Sequence, residues 1–265
     1  MDIFYFQLKI FICVLYRVQS DIFDSSFILH NQIFLDRMPK GKKFGDKWNG
    51  DDSLFAYWYG TNDNIYLDRQ KYNNYDKINE VTEKIVESLF SKLDNIYEIG
   101  ARNFLFMKAV NLYDLPYTKN RDRKSYKNVA VTYNNHLIEN VQDFHIRHPD
   151  TNVFVYADDA EFKYLIDNYK NYNYANNDGY YDQVKNDKTK DPNDYIWIDG
   201  LHPSGRTHEI LCENMKYFLE TGDTSDTNGM NKYYILCGSI VFIIIFVILS
   251  LYWRKAVKNK YSLID

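Results

Sequence analysis

Short apolar runs alternate with helical patterns over residues 18–220. The first run, residues 54–59 (LFAYWY), ends at Gly60, and residues 74–96 follow with apolar side chains at steps of three and four. A strand followed by an amphipathic helix, repeated along the chain, is typical of a parallel sheet covered by helices on both faces. The pattern therefore predicts an α/β domain. Further strands are predicted at residues 104–110, 152–156 and 195–198, and further helices at residues 127–148, 161–169 and 207–219.

The run over residues 233–253 (YYILCGSIVFIIIFVILSLYW) carries no charge. As a helix it would span about 30 Å, the hydrocarbon thickness of a bilayer. Aromatic residues stand at both of its ends, and basic residues follow in the tail, residues 254–265. The pattern predicts a single-pass membrane protein with an extracellular or lumenal domain and a cytosolic C-terminus. Residues 221–232 are interpreted as a polar stalk and residues 1–17 as an apolar segment of uncertain role.

Composition narrows the function classes. The chain has 32 Lys+Arg against 36 Asp+Glu, a formal net charge of −4, so no broad basic surface is available and nucleic acid is not an expected partner. Its cysteines, Cys13, Cys212 and Cys237, offer neither a disulfide framework nor a cysteine metal site. The histidines outside residues 199–202 share no metal-ligand spacing. We therefore expect no metal site.

Two loops at predicted strand ends carry candidate chemistry. Ligand sites in open parallel sheets lie at the carboxyl ends of the strands. After the first run comes Gly60-Thr61-Asn62-Asp63, whose amide side chain is suited to bind a developing oxyanion. After residues 195–198 comes Asp199-Gly200-Leu201-His202. In this spacing a carboxylate can hold Nδ1–H of an imidazole and leave Nε2 as a general base.

With these residues the chain resembles the GDSL esterases and lipases, the SGNH hydrolases, most closely their fungal and plant members. Residues 54–63 (LFAYWYGTND) look like the family's third block, residues 95–112 like the strand that follows it, and residues 197–211 (WIDGLHPSGRTHEIL) like its fifth block. The resemblance implies a flavodoxin-like three-layer α/β/α fold over residues 18–220. It also implies hydrolysis of carboxylic esters (lipid, acetyl or carbohydrate esters) through a serine acyl-enzyme without a metal or cofactor.

Carried over residue by residue, the resemblance makes His202 the general base, Asp199 its orienting carboxylate and Asn62 an oxyanion donor, while Gly60 shapes the loop. The family's first block, a Gly-Asp-Ser with the nucleophile, has no counterpart, and neither has the glycine of the second block. The domain is therefore expected to be N-terminally incomplete, with an unknown nucleophile. Ser53 follows a GDSL-like tract but begins a strand, at the wrong end of the sheet; Ser20, Ser25 and Ser26 are little better candidates.

Three interpretations remain open. The first is a membrane-anchored ester hydrolase, disabled by loss of the serine block, that binds a small-molecule or carbohydrate-borne ester and contacts the membrane through residues 233–253. The second is a non-catalytic, membrane-tethered pseudoenzyme that binds a ligand or partner. The third is a simple anchor without a site.

Two aspartates, Asp158 and Asp159, follow the predicted strand at residues 152–156. They either line the site or, as we prefer, form a turn or helix cap.

Overall fold

In the part of the chain that the structure describes, four parallel strands form a sheet. The computed structural model describes residues 9–13, 32–69, 75–119 and 124–221. The strands are hydrogen-bonded in sequential order, and Tyr57 lies in register between Cys13 on one side and Phe106 on the other. They are β1 (Lys9–Cys13), β2 (Ser53–Tyr57), β3 (Asn103–Met107) and β4 (Asn152–Tyr156).

Helices follow the strands in the described part of the chain, and this confirms the predicted alternation. A short helix, α1, spans residues 32–37. Two helices lie between β2 and β3 and one between β3 and β4, as parallel crossovers require. The remaining helices are α2 (Thr61–Arg69), α3 (Tyr75–Glu98), α4 (Lys124–Arg147), α5 (Asp158–Asp167) and α6 (Gly205–Thr221).

Both faces of the sheet are covered, because side chains alternate along each strand. On one face, aromatic residues of β2 and β3 pack against α3 and α4; the Phe106 ring stacks on Phe90 at 5.0 Å and the Phe104 ring meets Phe144 at 5.1 Å. On the other face, Leu54, Ala56, Leu105, Met107 and Tyr156 pack against Phe218 of α6. Burial on both faces explains the continuous apolar runs of the strands.

Helix α3 is long but amphipathic. Its buried residues recur at steps of three and four, whereas Lys77 and Lys84 both pair with Glu80 on its solvent side, at 3.0 and 2.6 Å. Among the described residues, no helix is both long and apolar enough to cross a bilayer. This finding overturns the prediction of a single-pass membrane protein with an extracellular or lumenal domain. Residues 233–253, to which the transmembrane helix was assigned, lie outside the described residues, as do residues 222–232 and 254–265.

The predicted strand at residues 195–198 is also wrong. Trp197 makes only isolated bridges, to Tyr180 and to Pro203. The backbone groups of this segment bond both within its own loop and to residues 181–182. Ile198 N donates to His202 O (2.8 Å) and Ser204 N donates to Ile196 O (2.8 Å), while Tyr181 N donates to Trp197 O (3.0 Å). The predicted fold class was a flavodoxin-like three-layer domain plus a transmembrane helix. Because no described helix can span a membrane, this prediction is corrected to an α/β domain with a small parallel sheet.

The turn from β2 into α2 depends on Gly60. Its φ of +104° lies in the region that favours glycine. A Cβ built on Gly60 would also lie 2.3 Å from Cζ of Tyr133 in α4. Gly60 O accepts a hydrogen bond from Asn64 N at 2.9 Å and so begins the helix. Glycine is therefore required both by the backbone and by the close approach of α4.

A polar cluster ties α3 to α4 at the amino end of the sheet. His148 Nε2 lies 2.8 Å from Asp94 Oδ1, and Arg147 donates to the same oxygen at 2.6 Å. The His148 ring packs against Tyr97, with centroids 3.9 Å apart. Burial raises the pKa of Asp94, but the hydrogen bonds from His148 and Arg147 more than offset this and bring the pKa below its ordinary value.

We expect Gly60→Ala to destabilise the protein by about 3 kcal/mol. About 1 kcal/mol comes from the positive φ, and roughly 1–3 kcal/mol comes from overpacking against Tyr133. Gly100→Ala is the matched control, because Gly100 has a φ of +110° but open space around it; it should lose only about 1 kcal/mol. Urea unfolding measures both values, and equal losses would contradict the role of the Tyr133 contact.

We expect Asp94→Asn to weaken the acid dependence of stability. The folded-state pKa of Asp94 is below the unfolded-state value of about 3.9. The carboxylate therefore contributes stability that is complete above that value and is lost as the pH falls through the folded-state pKa. Melting temperatures between about pH 2 and 6 should fall less steeply in the variant. Asp143→Asn, an exposed position on α4, should leave the slope unchanged.

Candidate active site

Asp199 organises the loop that carries His202. One carboxylate oxygen, Oδ1, accepts hydrogen bonds from the backbone N–H groups of Leu201 (2.7 Å) and His202 (2.8 Å). The other oxygen, Oδ2, lies 2.5 Å from Nδ1 of the His202 ring. One oxygen thus shapes the turn while the other orients the imidazole, which makes Nε2 the ring nitrogen positioned for proton transfer.

The electrostatics of this pair suit a base held by a carboxylate. Burial raises the pKa of Asp199, but the hydrogen bonds from the His202 ring and from the backbone of Leu201 and His202 outweigh it, so the pKa is below its ordinary value. Asp199 is therefore ionised at neutral pH. The side chains of His202 and Asp199 are 40 % and 37 % exposed, so the pair is open to a molecule arriving from solvent.

A buried hydroxyl network anchors the loop to the domain. Ser204 Oγ accepts from Thr207 N at 3.2 Å, in the first turn of α6. Thr207 Oγ1 donates to Ile196 O at 2.9 Å and lies 2.9 Å from the hydroxyl of Tyr174. Ser204 and Thr207 are fully buried. Sequence reasoning passed over these residues, although a Ser directly before a helix is a recognisable N-cap signal.

The loop is also tied to the carboxyl end of the sheet. Tyr117 N donates to Gly200 O at 2.9 Å, and Tyr117 lies in the short helical turn Pro116–Thr118 that follows β3. Ile196 and Trp197, which precede the loop, share a hydrophobic cluster with Ile65 of α2 and Val110 after β3. The segments that follow β2 and β3 therefore pack around the base of the Asp199–His202 loop.

Asn62 also follows the carboxyl end of a strand. It is the second residue of α2, half-buried, and follows β2 after the Gly60 turn. Its placement after the carboxyl end of β2 agrees with the sequence expectation. Its convergence with His202 in one cleft, and its part as an oxyanion donor, stay predictions.

The candidate serines divide into two groups. Ser53 is fully buried as the first residue of β2, at the amino end of the sheet, and its hydroxyl donates to Asp52 at 3.3 Å. Ser20, Ser25 and Ser26 lie outside the described residues. Among these candidates, the structure describes only Ser53, and it lies at the amino end of the sheet, the end that the sequence analysis judged wrong for a nucleophile.

Asp158 and Asp159 form the first turn of α5 at the carboxyl end of β4. The helix cap itself is Ala157, so the preferred interpretation of these aspartates as caps is not what the structure shows. Asp159 pairs with Lys108 at 2.8 Å, whereas Asp158 is 1 % exposed. Across the described residues, no three His, Cys, Asp or Glu side chains are grouped so as to hold a metal ion.

Comparison with known proteins identifies two distant relatives. An acetylesterase of Thermothelomyces thermophilus is 26 % identical over 172 residues, which are 63 % of this chain and 52 % of that protein. The secreted effector protein SseJ of Salmonella typhimurium (strain LT2) is 24 % identical over 143 residues, 51 % of this chain and 35 % of the effector. The chain spans about half the length of the acetylesterase and about a third of the effector. No family model matches the chain. The similarity to the acetylesterase supports an esterase-like family, without reaching the GDSL assignment.

Proposed function

We propose that the chain carries the acid–base part of a serine-type carboxylic ester hydrolase site of the SGNH kind. His202 is the general base, Asp199 orients and stabilises it, and Asn62 with the Gly60 loop is the oxyanion side. The observation that supports this proposal best is that the two carboxylate oxygens of Asp199 have different partners. Oδ2 lies 2.5 Å from Nδ1 of His202, and Oδ1 accepts hydrogen bonds from two backbone N–H groups. Such a doubly held carboxylate fixes both the tautomer and the direction of the imidazole.

A second histidine–carboxylate pair in the protein shows what a structural pair looks like. His148 is 13 % exposed, uses Nε2 to meet Asp94, and has its ring packed against Tyr97 and Phe144. It lies at the amino end of the sheet, away from the strand ends where ligand sites form. His202 differs in each respect: it is open to solvent, it uses Nδ1, and it lies on a loop at the carboxyl side.

In the proposed reaction, His202 Nε2 takes the proton of the attacking hydroxyl as that oxygen adds to the ester carbonyl. Asp199 stabilises the imidazolium that forms without itself becoming protonated. The negative charge on the carbonyl oxygen is stabilised by N–H donors of the Asn62 amide and the Gly60 turn. Collapse of the tetrahedral intermediate releases the alcohol, which receives the proton from His202. The attacking hydroxyl is unassigned, and water activated by His202 supports a slow version of the same reaction.

The substrate class is a carboxylic ester, and acetyl esters are the first choice because the more extensively matched relative is an acetylesterase. The open, polar loop of Asp199 and His202 suits a small acyl group presented from solvent. This proposal covers the described domain and does not involve a membrane.

We expect His202→Ala to lower p-nitrophenyl acetate hydrolysis by the full-length chain about 10²-fold or more, because a positioned general base contributes about 10²–10⁴-fold. The control is His148→Ala, which removes the other histidine of a His–Asp pair. It should reduce the melting temperature and leave the rate unchanged. Equal rates in the His202 variant and the wild type, or no hydrolysis above the buffer rate, would contradict the proposed function.

We expect Asp199→Asn to lower kcat about 10²- to 10⁴-fold with little change in KM, because Asp199 contacts the imidazole and not the substrate. The asparagine carbonyl can still accept the two loop N–H groups, but its amide NH₂ facing Nδ1 favours the wrong tautomer. Asp94→Asn, the same exchange in the structural pair, should leave kcat unchanged. Steady-state kinetics on matched preparations measure both variants, and a selective rise in KM for Asp199→Asn would assign Asp199 to substrate binding instead.

A further inference from the structure

We propose that Asn134 is a positioning residue for the candidate site. Its side-chain amide holds both backbone groups of Ala109, and through the segment after β3 it fixes the loop that carries Asp199 and His202. The inference rests on the proposed function, because the purpose of the contact is the placement of the general base. Asn134 lies outside the three segments that carry the resemblance to the GDSL esterases.

The amide of Asn134 holds the chain just beyond the carboxyl end of β3. Its Oδ1 accepts a hydrogen bond from Ala109 N at 2.8 Å, and its Nδ2 donates to Ala109 O at 2.9 Å. Asn134 is 4 % exposed, and Ala109 is completely buried. Buried backbone groups require partners. At this position an amide side chain supplies the two bonds that a neighbouring strand supplies within the sheet.

Adjacent residues of α4 contact the ends of two strands. Asparagine is unfavourable in the interior of a helix, because its side chain competes for backbone hydrogen bonds. Asn134 nevertheless lies inside α4, and its amide bonds to the segment after β3. The preceding residue, Tyr133, meets Gly60 after β2. Helix α4 therefore sets the spacing between the segments that follow β2 and β3, which carry the two sides of the proposed site.

Hydrogen bonds extend this anchor along the segment after β3. Residues 111–118 form two short helical turns. The hydroxyl of Thr118, which is fully buried, donates to Leu112 O at 2.8 Å and lies 2.9 Å from Leu115 O. The side chain of the second turn thus bonds to the backbone of the first. The two turns are therefore held together and keep the position that their attachment at Ala109 gives them.

The second turn bonds to the loop of the general base. Tyr117 N donates to Gly200 O at 2.9 Å. A Cβ built on Gly200 would lie 3.4 Å from Cα of Tyr117, so the two backbones are in close contact. Gly200 directly follows Asp199 and lies two residues before His202. A displacement of Tyr117 therefore reaches the imidazole, and a shift of about 1 Å at a reacting group can cost about 10²-fold in rate.

Asn103 provides a matched control, because it is a second buried asparagine that holds the backbone. Its Nδ2 donates to Gly50 O at 2.7 Å and to Ser53 O at 3.1 Å, and it is 8 % exposed. It begins β3 and lies at the amino end of the sheet, whereas the loop of His202 packs at the carboxyl end. Replacing Asn103 or Asn134 leaves buried backbone groups without a partner and should lower the melting temperature.

The test uses four full-length variants, Asn134→Ala, Asn134→Leu, Asn103→Ala and Asn103→Leu. The alanine variants leave room for a water molecule to bond the freed backbone groups, so they give the measurement where a leucine variant fails to fold. Three properties are measured: the melting temperature, the exchange rate of the Tyr117 amide hydrogen by NMR, and kcat and KM for p-nitrophenyl acetate.

We expect the Tyr117 amide hydrogen to exchange roughly tenfold faster in the Asn134 variants than in the wild type, an acceleration that matches the net contribution of one hydrogen bond. In these variants kcat should fall roughly tenfold at nearly unchanged KM, which is part of the loss that a displacement of about 1 Å causes. The Asn103 variants should lose a comparable amount of thermal stability and keep the wild-type exchange rate and kcat.

Equal acceleration of Tyr117 exchange in the Asn134 and Asn103 variants would overturn the proposal, because a general loss of stability would then explain both. Wild-type exchange in Asn134→Ala would also overturn it. Faster exchange with unchanged kcat, when the wild type shows His202-dependent hydrolysis, would show that Asn134 is only structural and that the positioning role is wrong. A wild type without such hydrolysis would refute the proposed function, whereas the exchange rates would still decide whether Asn134 holds the contact between Tyr117 and Gly200.

Discussion

The candidate site depends on one carboxylate that serves two purposes. Asp199 can orient His202 only because its own position is fixed, and two backbone N–H groups of its loop fix it through Oδ1. The same bonds favour the ionised form, so that the charge needed beside the imidazole is maintained although the group is partly buried. Loop geometry and electrostatics therefore have a single cause. A loop without the Asp199 side chain would lose the turn and the charge together.

The rest of the domain holds this loop in place. The hydroxyls of Ser204, Thr207 and Tyr174 connect it to the backbone of Ile196 in the interior, where an unpaired hydroxyl would be costly. The bond from Tyr117 N to Gly200 O connects the loop to the segment after β3. Because these anchors are buried or backbone-mediated, they constrain the loop far more than an exposed ion pair would. An irregular loop thus acquires the rigidity that a catalytic histidine requires.

Sequence reasoning found the elements whose signal is local. The periodicity of α3 and the short apolar runs of β2 to β4 follow from burial along one segment, and the D-x-x-H spacing of Asp199 and His202 is a property of one turn. The segment at residues 195–198 is as apolar as a strand, but its backbone groups bond to its own loop and to residues 181–182, outside the parallel sheet. That outcome depends on partners in three dimensions. The membrane helix was inferred from the uncharged run at residues 233–253 with its aromatic ends and basic tail, and no described helix supports it.

Two carboxyl groups on the same side of the sheet illustrate why position outweighs residue type. Asp199 is surrounded by N–H donors and has a lowered pKa, whereas Asp158 is enclosed with other acids and has a raised pKa. The first is therefore suited to stabilise a cation that forms during a reaction, whereas burial and the neighbouring acids disfavour the charged form of the second. In the surroundings of Asp158, the carboxyl of Asp199 would stabilise an imidazolium less well, because burial there is not offset by N–H donors. The donors that the fold places around a carboxyl thus decide whether it can serve the proposed chemistry.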